Sequence, residues 1–425
     1  MKVCLMNDSF PPVIDGVVNV VMNYARIMTD DALAECMVAT PRYPDTDYGT
    51  YPYEVVDYHS IDTTKLISGY RAGNPLDFSA FRRLKEFSPD IIHTHCPVAS
   101  TVLARMLRRE CDAPVIFTYH TKFDVDIARA IKSKFLQHGS IKTIVDNISA
   151  CDEVWVVSNG SGENLRSLGY EGEYRVMPNG VDFERGRADS ALIDEVRAGY
   201  DLPEGVPVFL YVGRIIEYKG LPMIMEALRT LSKHGIDYRM VFVGDGPDRE
   251  KLMKQAGQDP LLVRKVIFPG AERDRQRLRA WNSLADLFLF PSTYDTNGIV
   301  VREAAACGLA SVLIRDSCAA EGVTDDRNGF LIEEDAQALS ELLTRACADM
   351  DHVHEVGRHA MDEIYISWDS AVRLAHERYS EILDLKRTGQ FVTQRRKFTQ
   401  NLKKLLEEDV ATLERNVRDI LEELE

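Results

Sequence analysis

Pro207-Val208-Phe209-Leu210-Tyr211-Val212-Gly213-Arg214-Ile215-Ile216-Glu217-Tyr218-Lys219-Gly220 is an aliphatic run that stops on a glycine and then offers two cations five residues apart. A short apolar run ending at a turn residue predicts a buried strand of a parallel sheet, with the turn at its C-terminal end. There a glycine lets backbone come close, and Arg214 with Lys219 suits a diphosphate; the same residues also suit a plain turn with surface charges. Outward from this stretch, Met240–Val243, Val266–Phe268, Leu287–Phe290 and Ser311–Ile314 repeat the strand pattern, with helix-period segments between them. The first half carries the same alternation through Val3–Met6, Ile91–His93, Val115–Thr118 and Val154–Val157, and a break follows Asn179-Gly180-Val181-Asp182. Alternating short strands and helices predict an α/β chain of two Rossmann-like, doubly wound domains facing across a cleft.

Length agrees, because 425 residues exceed what one hydrophobic core organises. A composition of 45% hydrophobic and 28% charged residues is that of a globular chain. No apolar run of about 18 residues occurs, and Asp8 interrupts the start at once, so a cytoplasmic protein is expected. The eight cysteines form no C-x-x-C pair, which argues for reduced thiols rather than a zinc ribbon or disulfide framework. A net charge of −16 argues against nucleic acid as a partner.

The strongest local motif is Pro291-Ser292-Thr293-Tyr294-Asp295-Thr296-Asn297-Gly298-Ile299-Val300-Val301-Arg302-Glu303, directly after a strand. Gly298 opens a helix whose first amides, with that of Ile299, favour a phosphate, while Asp295 and Glu303 offer carboxylates to sugar hydroxyls. Spacing alone equally allows Asp295 to cap the helix and Glu303 to sit on a solvated face. Further glycine turns follow strands at Gly244-Asp245-Gly246-Pro247 and Asp15-Gly16-Val17, and Thr118-Tyr119-His120-Thr121 ends another strand. The alternation in His93-Thr94-His95 places both imidazoles on one strand face, with no acidic third ligand to make a metal site. Asp45-Thr46-Asp47 and Asp124-Val125-Asp126 match a metal-binding D-x-D triplet, which chance explains in an acidic chain. No G-x4-G-K-[ST] loop or G-x-S-x-G elbow is present.

In order, these elements resemble the retaining glycosyltransferases of family 4, of GT-B fold, over roughly residues 1 to 384. The family's E-x7-E element matches Asp295-x7-Glu303, its G-R-x4-K-G element matches Gly213 to Gly220, and its G-x-G-P turn matches Gly244 to Pro247. The resemblance implies donor-hexose contacts from Asp295, ribose contacts from Glu303, and a leaving diphosphate held by Arg214 and Lys219. It also implies donor contacts along Gly213, Gly244, Gly298 and Ile299, with Gly16 approaching the diphosphate from the other domain and His120 beside the transferred sugar. Asp295 stands where the family has glutamate and Asn297 where an aromatic is common, which bears on the choice of hexose. Domains at 1–183 and 184–365, a closing helix at 366–385 with Ser367-Trp368 and Tyr379, and a tail at 386–425 complete the layout.

The implied reaction moves a hexose, glucose, from a UDP-linked donor with retention, and no cofactor or essential metal is expected because fixed cations can carry the diphosphate. The segment after His120 looks like bacterial enzymes that glucosylate diacylglycerol, implying a lipid acceptor and peripheral contact with the inner face of the membrane. Between 122 and 137, Ile127, Ile131 and Phe135 recur at helical spacing among Lys122, Arg129, Lys132 and Lys134, as in an interfacial helix or an ordinary surface helix. A polyol or polysaccharide acceptor, a phosphorylase or epimerase on the same fold, and a non-catalytic sugar-nucleotide sensor are the competing readings. Leu406, Val410, Leu413, Val417, Ile420 and Leu424 form a short coiled-coil seam, so a homodimer through the tail is expected ahead of packing on the enzyme or on another partner.

Overall fold

Strand β10 (Val208–Val212) is buried along its whole length, which parallel sheets covered on both faces require. In the computed structural model it pairs in parallel with β11 (Arg239–Val243) and β13 (Leu287–Phe290), in the registers Phe209↔Met240 and Phe209↔Leu287. With β12 (Val266–Gly270), β14 (Ser311–Ile314) and β15 (Phe330–Ile332), the sheet order is β12-β11-β10-β13-β14-β15. The first domain holds a seven-stranded parallel sheet. Its strands are β1 (Lys2–Met6), β2 (Glu35–Pro41), β3 (Glu54–Tyr58), β6 (Ile91–Thr94), β7 (Val115–Tyr119), β8 (Glu153–Val156) and β9 (Arg175–Val176), in the order β3-β2-β1-β6-β7-β8-β9. A hairpin of β4 (Ser60–Asp62) and β5 (Arg71–Gly73) stands apart from it. The described residues are 1–63, 70–123, 127, 132–295 and 298–391. The Asp124–Asp126 triplet, Arg129, Ile131, Asn297 and the heptad tail therefore lie outside them.

Winding reverses once in each sheet, between β1 and β6 in the first and between β10 and β13 in the second. Ligand crevices of such sheets open at that reversal, beyond the strand C-terminal ends. In the second sheet the two bordering loops are Gly213–Gly220 and Pro291–Gly298, and in the first they are the turns leading to Gly16 and His95. Topology thus carries the candidate residues of each domain to one place.

The last described helix, Trp368–Arg387, returns to the first domain. Trp368, Ala371, Val372, Tyr379 and Ile382 pack with Val3, Leu5 and helix Gly16–Asp30 on one face of the first sheet. Burial of each large side chain is worth about 1.5–3 kcal/mol, so this helix is anchored there. The two crossings between domains run side by side: Val181 N–H donates to Ile366 O at 3.0 Å. A Cβ at Gly180 would lie 2.4 Å from Trp368 Cα, so only glycine permits that approach. Across from the crossings, the Asn159 amide at the start of helix Asn159–Ser167 donates to the Glu321 carboxylate of the second domain at 2.6 and 2.8 Å. Loops beyond the strand ends of the two sheets therefore meet.

Candidate active site

Two glycine turns interlock at the end of β10. Gly213 and Gly244 have φ of +153° and +154°, and a Cβ on Gly244 would sit 1.9 Å from Gly213 O. The contact is sealed by Gly213 N–H to Val243 O at 3.1 Å and Ile215 N–H to Asp245 O at 2.9 Å. These glycines thus serve backbone packing at the crevice floor. Gly220, at φ +78°, lets the turn Glu217–Lys219 abut the loop after β13, where a Cβ would fall 2.3 Å from Pro291 O.

That abutment brings two of the predicted site residues together. Lys219 Nζ lies 3.0 Å from Asp295 Oδ1, with side chains 16% and 25% exposed. Ser292 Oγ donates to Asp295 Oδ2 at 2.5 Å. Asp295 therefore does not cap helix Ile299–Ala306, whose N-cap is Gly298 without a side-chain cap. Gly298 has φ +54°, and a Cβ there would lie 3.1 Å from Ala319 Cα, so conformation and space both favour glycine. Its carbonyl accepts from Val301 N–H at 2.8 Å, and the Ile299 and Val300 amides have no partner among the described residues. Arg214, in the loop after β10, is exposed and makes no ion pair among the described residues.

Glu303 is buried rather than on a solvated face, and Arg275 Nη2 meets its Oε1 at 2.5 Å. Arg275 reaches Asp182 at 3.6 Å and lies over the Phe183 ring at 4.6 Å. Burial pushes the Glu303 carboxyl above its usual range, and Arg275 only partly offsets it. In the sequence reading Arg275 has no role and Asp182 only its place in the break between the domains, because nothing in their spacing links them to Glu303.

In the first domain Asp15 caps helix Gly16–Asp30, accepting from Val17 and Val18 N–H at 2.8 Å each. It also accepts from Tyr70 Oη at 2.5 Å. Of the first-turn amides, Gly16 N–H is left without a partner among the described residues, and a Cβ at Gly16 would meet nothing within 4 Å. His120 is buried at the end of β7 and its Nε2 lies 3.0 Å from His95 Nδ1. Burial lowers its pKa to about 4, against a rise caused by Asp15. His93 and His95 do share a strand face, with ring centroids 4.1 Å apart. Among the described residues no group of three His, Cys, Asp or Glu side chains is placed to hold a metal.

Two family descriptions match this chain in series: Glycosyltransferase Family 4 over residues 14–185 and Glycosyl transferases group 1 over residues 193–362. The alpha-monoglucosyldiacylglycerol synthase of Streptococcus pneumoniae is 23% identical over 393 residues, covering 90% of this chain and 86% of the relative. The GDP-mannose-dependent alpha-mannosyltransferase of Corynebacterium glutamicum is 26% identical over 339 residues, covering 78% of this chain and 77% of the relative. Among solved structures, HepE of Anabaena in complex with UDP superposes with a TM-score of 0.71 at 18% identity, covering 90% of this chain and all of that one. Two doubly wound domains, a winding reversal in each sheet and the two matched halves agree: the chain belongs to glycosyltransferase family 4, has the GT-B fold, and is a hexosyltransferase.

Proposed function

We propose that the chain transfers glucose from a UDP-linked donor to diacylglycerol with retention at the anomeric carbon. The observation that carries this reading is the Lys219–Asp295 pair at 3.0 Å, beside the open Ile299 amide and the buried Glu303. On this reading a cation for phosphate, an acid for hexose hydroxyls and an acid for ribose come from the loops after β10 and β13 and the helix that follows β13. In the reaction the bond from C1 to the diphosphate oxygen breaks and the acceptor oxygen bonds C1 on the same face. The acceptor proton passes to the departing phosphate oxygen. Arg214 and Lys219 stabilise the growing diphosphate charge, Glu303 holds the ribose, and Gly16 N–H meets the diphosphate from the first domain. His120, neutral because it is buried, hydrogen-bonds the hexose.

A lipid acceptor is supported by the name of the S. pneumoniae relative and by exposed apolar side chains. Ile14 (69% exposed), Phe78 (82%) and Phe135 (86%) all lie on connections leaving the strand C-terminal ends of the first sheet. No helix among the described residues is long and apolar enough to cross a membrane, so contact would be peripheral. The test is product analysis with UDP-glucose, GDP-mannose and ADP-glucose against diacylglycerol vesicles and soluble polyols, in EDTA. An α-linked glucosyl lipid is expected; transfer only to soluble acceptors, or an inverted product, refutes the proposal.

A further inference from the structure

Three histidines line the interior of the first domain behind the proposed hexose contact. His93 is satisfied at both nitrogens, by Tyr379 Oη and Thr118 Oγ1 at 2.6 Å each. His95 is 2% exposed and lies between His93 and His120, with ring centroids 4.1 and 5.3 Å away. Its Nδ1 faces His120 Nε2 at 3.0 Å, while its Nε2 is buried with no hydrogen-bond partner. Burial holds all three rings neutral near pH 7.

A neutral imidazole carries one N–H and one bare nitrogen, so a single hydrogen lies between His95 and His120. If His120 Nε2–H donated, the hydrogen of His95 would sit on its buried Nε2 with no acceptor. If His95 Nδ1–H donates, the stranded atom is a bare acceptor. Buried orphan donors are the rarer and costlier case in folded proteins. We infer that His95 is a positioning residue that donates from Nδ1 to His120 Nε2 and so fixes His120 as its Nδ1–H tautomer. In that tautomer His120 carries its one N–H at Nδ1, and its Nε2 lone pair is engaged by His95, so it takes no part as a base. The functional half of this inference rests on the proposed contact between His120 and the hexose.

The experiment uses the full chain labelled with ring-15N histidine, read by long-range 1H–15N correlation, with the His120 signals assigned by their loss in His120→Asn. Wild type is expected to show His120 protonated at Nδ1. His95→Gln, whose carboxamide still donates, keeps that tautomer, and His95→Phe loses the preference. Turnover follows: kcat falls on the order of 10²-fold in His95→Phe, with KM little changed, and recovers most of that loss in His95→Gln. Thermal melts show that each variant is folded, and His95→Gln carries the test if His95→Phe is not. An Nε2–H tautomer of His120 in wild type, or an unchanged tautomer in His95→Phe, overturns the inference. The spectrum needs no substrate, so full turnover in His120→Asn would remove the hexose contact while leaving the tautomer assignment to its own test.

Discussion

Asp295 and Lys219 neutralise each other in the free protein, so replacing Asp295 with asparagine separates nucleotide binding from transfer. Asparagine keeps the shape and the Ser292 contact and removes only the charge. A phosphate oxygen held by Lys219 at about 3 Å stands at most about 6 Å from the Asp295 carboxylate, given the 3.0 Å pair. Repulsion between unit charges at that separation is about 0.7 kcal/mol at the dielectric of water and about 2.8 kcal/mol at an effective dielectric near 20. Asp295→Asn should therefore tighten UDP binding by about 0.7–2.8 kcal/mol, roughly 3- to 100-fold in Kd. Sugar transfer moves the other way, because a charged acceptor for the hexose hydroxyl is lost, and kcat/KM falls by about 10- to 100-fold. Titration calorimetry with UDP beside turnover of the nucleotide sugar measures both. Weaker or unchanged UDP binding would show that Lys219 does not hold the diphosphate next to Asp295.

Gly16→Ala adds a methyl that meets no protein atom and should improve helix propensity, so the melting temperature holds or rises while affinity for the nucleotide sugar drops about tenfold or more. Arg275→Ala leaves Glu303 buried without its cation and should cost about 2–3 kcal/mol at neutral pH, less than a fully buried pair because Arg275 is 44% exposed. The folded Glu303 carboxyl titrates above its unfolded value. Its favourable contribution is thus present at low pH and lost as pH rises, so melts from pH 5 to 8 should show the Arg275→Ala deficit growing. The histidines act at the acid end: His120 titrates at about 4 when folded and near 6.5 when unfolded, and burial also lowers His93 and His95. The histidine contribution is complete above pH 6.5 and falls toward pH 4, each group adding up to about 1.4 kcal/mol per pH unit, and His120→Asn should flatten that slope in pH-dependent melts.

Strand runs such as Phe209–Val212 announced both sheets because double-sided burial leaves nearly unbroken aliphatic segments. Shorter or mixed strands did not: β15 is three residues long, and β2 mixes alanine, methionine and threonine with one valine. The sites at the strand ends were legible where glycine and charge recur within one loop, as at Gly213–Gly220. Partners joined only by tertiary structure were not. Arg275 reaches Glu303 from the preceding helix, Tyr70 reaches Asp15 across 55 residues, and Tyr379 meets His93 across 286. Local spacing carries no trace of such contacts, and even the 25 residues between His95 and His120 exceed any periodicity a sequence displays.

The most direct test of the central claim is UDP release from UDP-glucose with diacylglycerol vesicles, measured for wild type, Lys219→Ala and Glu303→Ala. If the second domain holds the donor as described, wild type turns over and the lipid accelerates it. Lys219→Ala then loses kcat by about 10²- to 10³-fold, and Glu303→Ala loses mainly KM. Equal turnover by all three proteins, or tight nucleotide-sugar binding without release on any acceptor, would contradict the account.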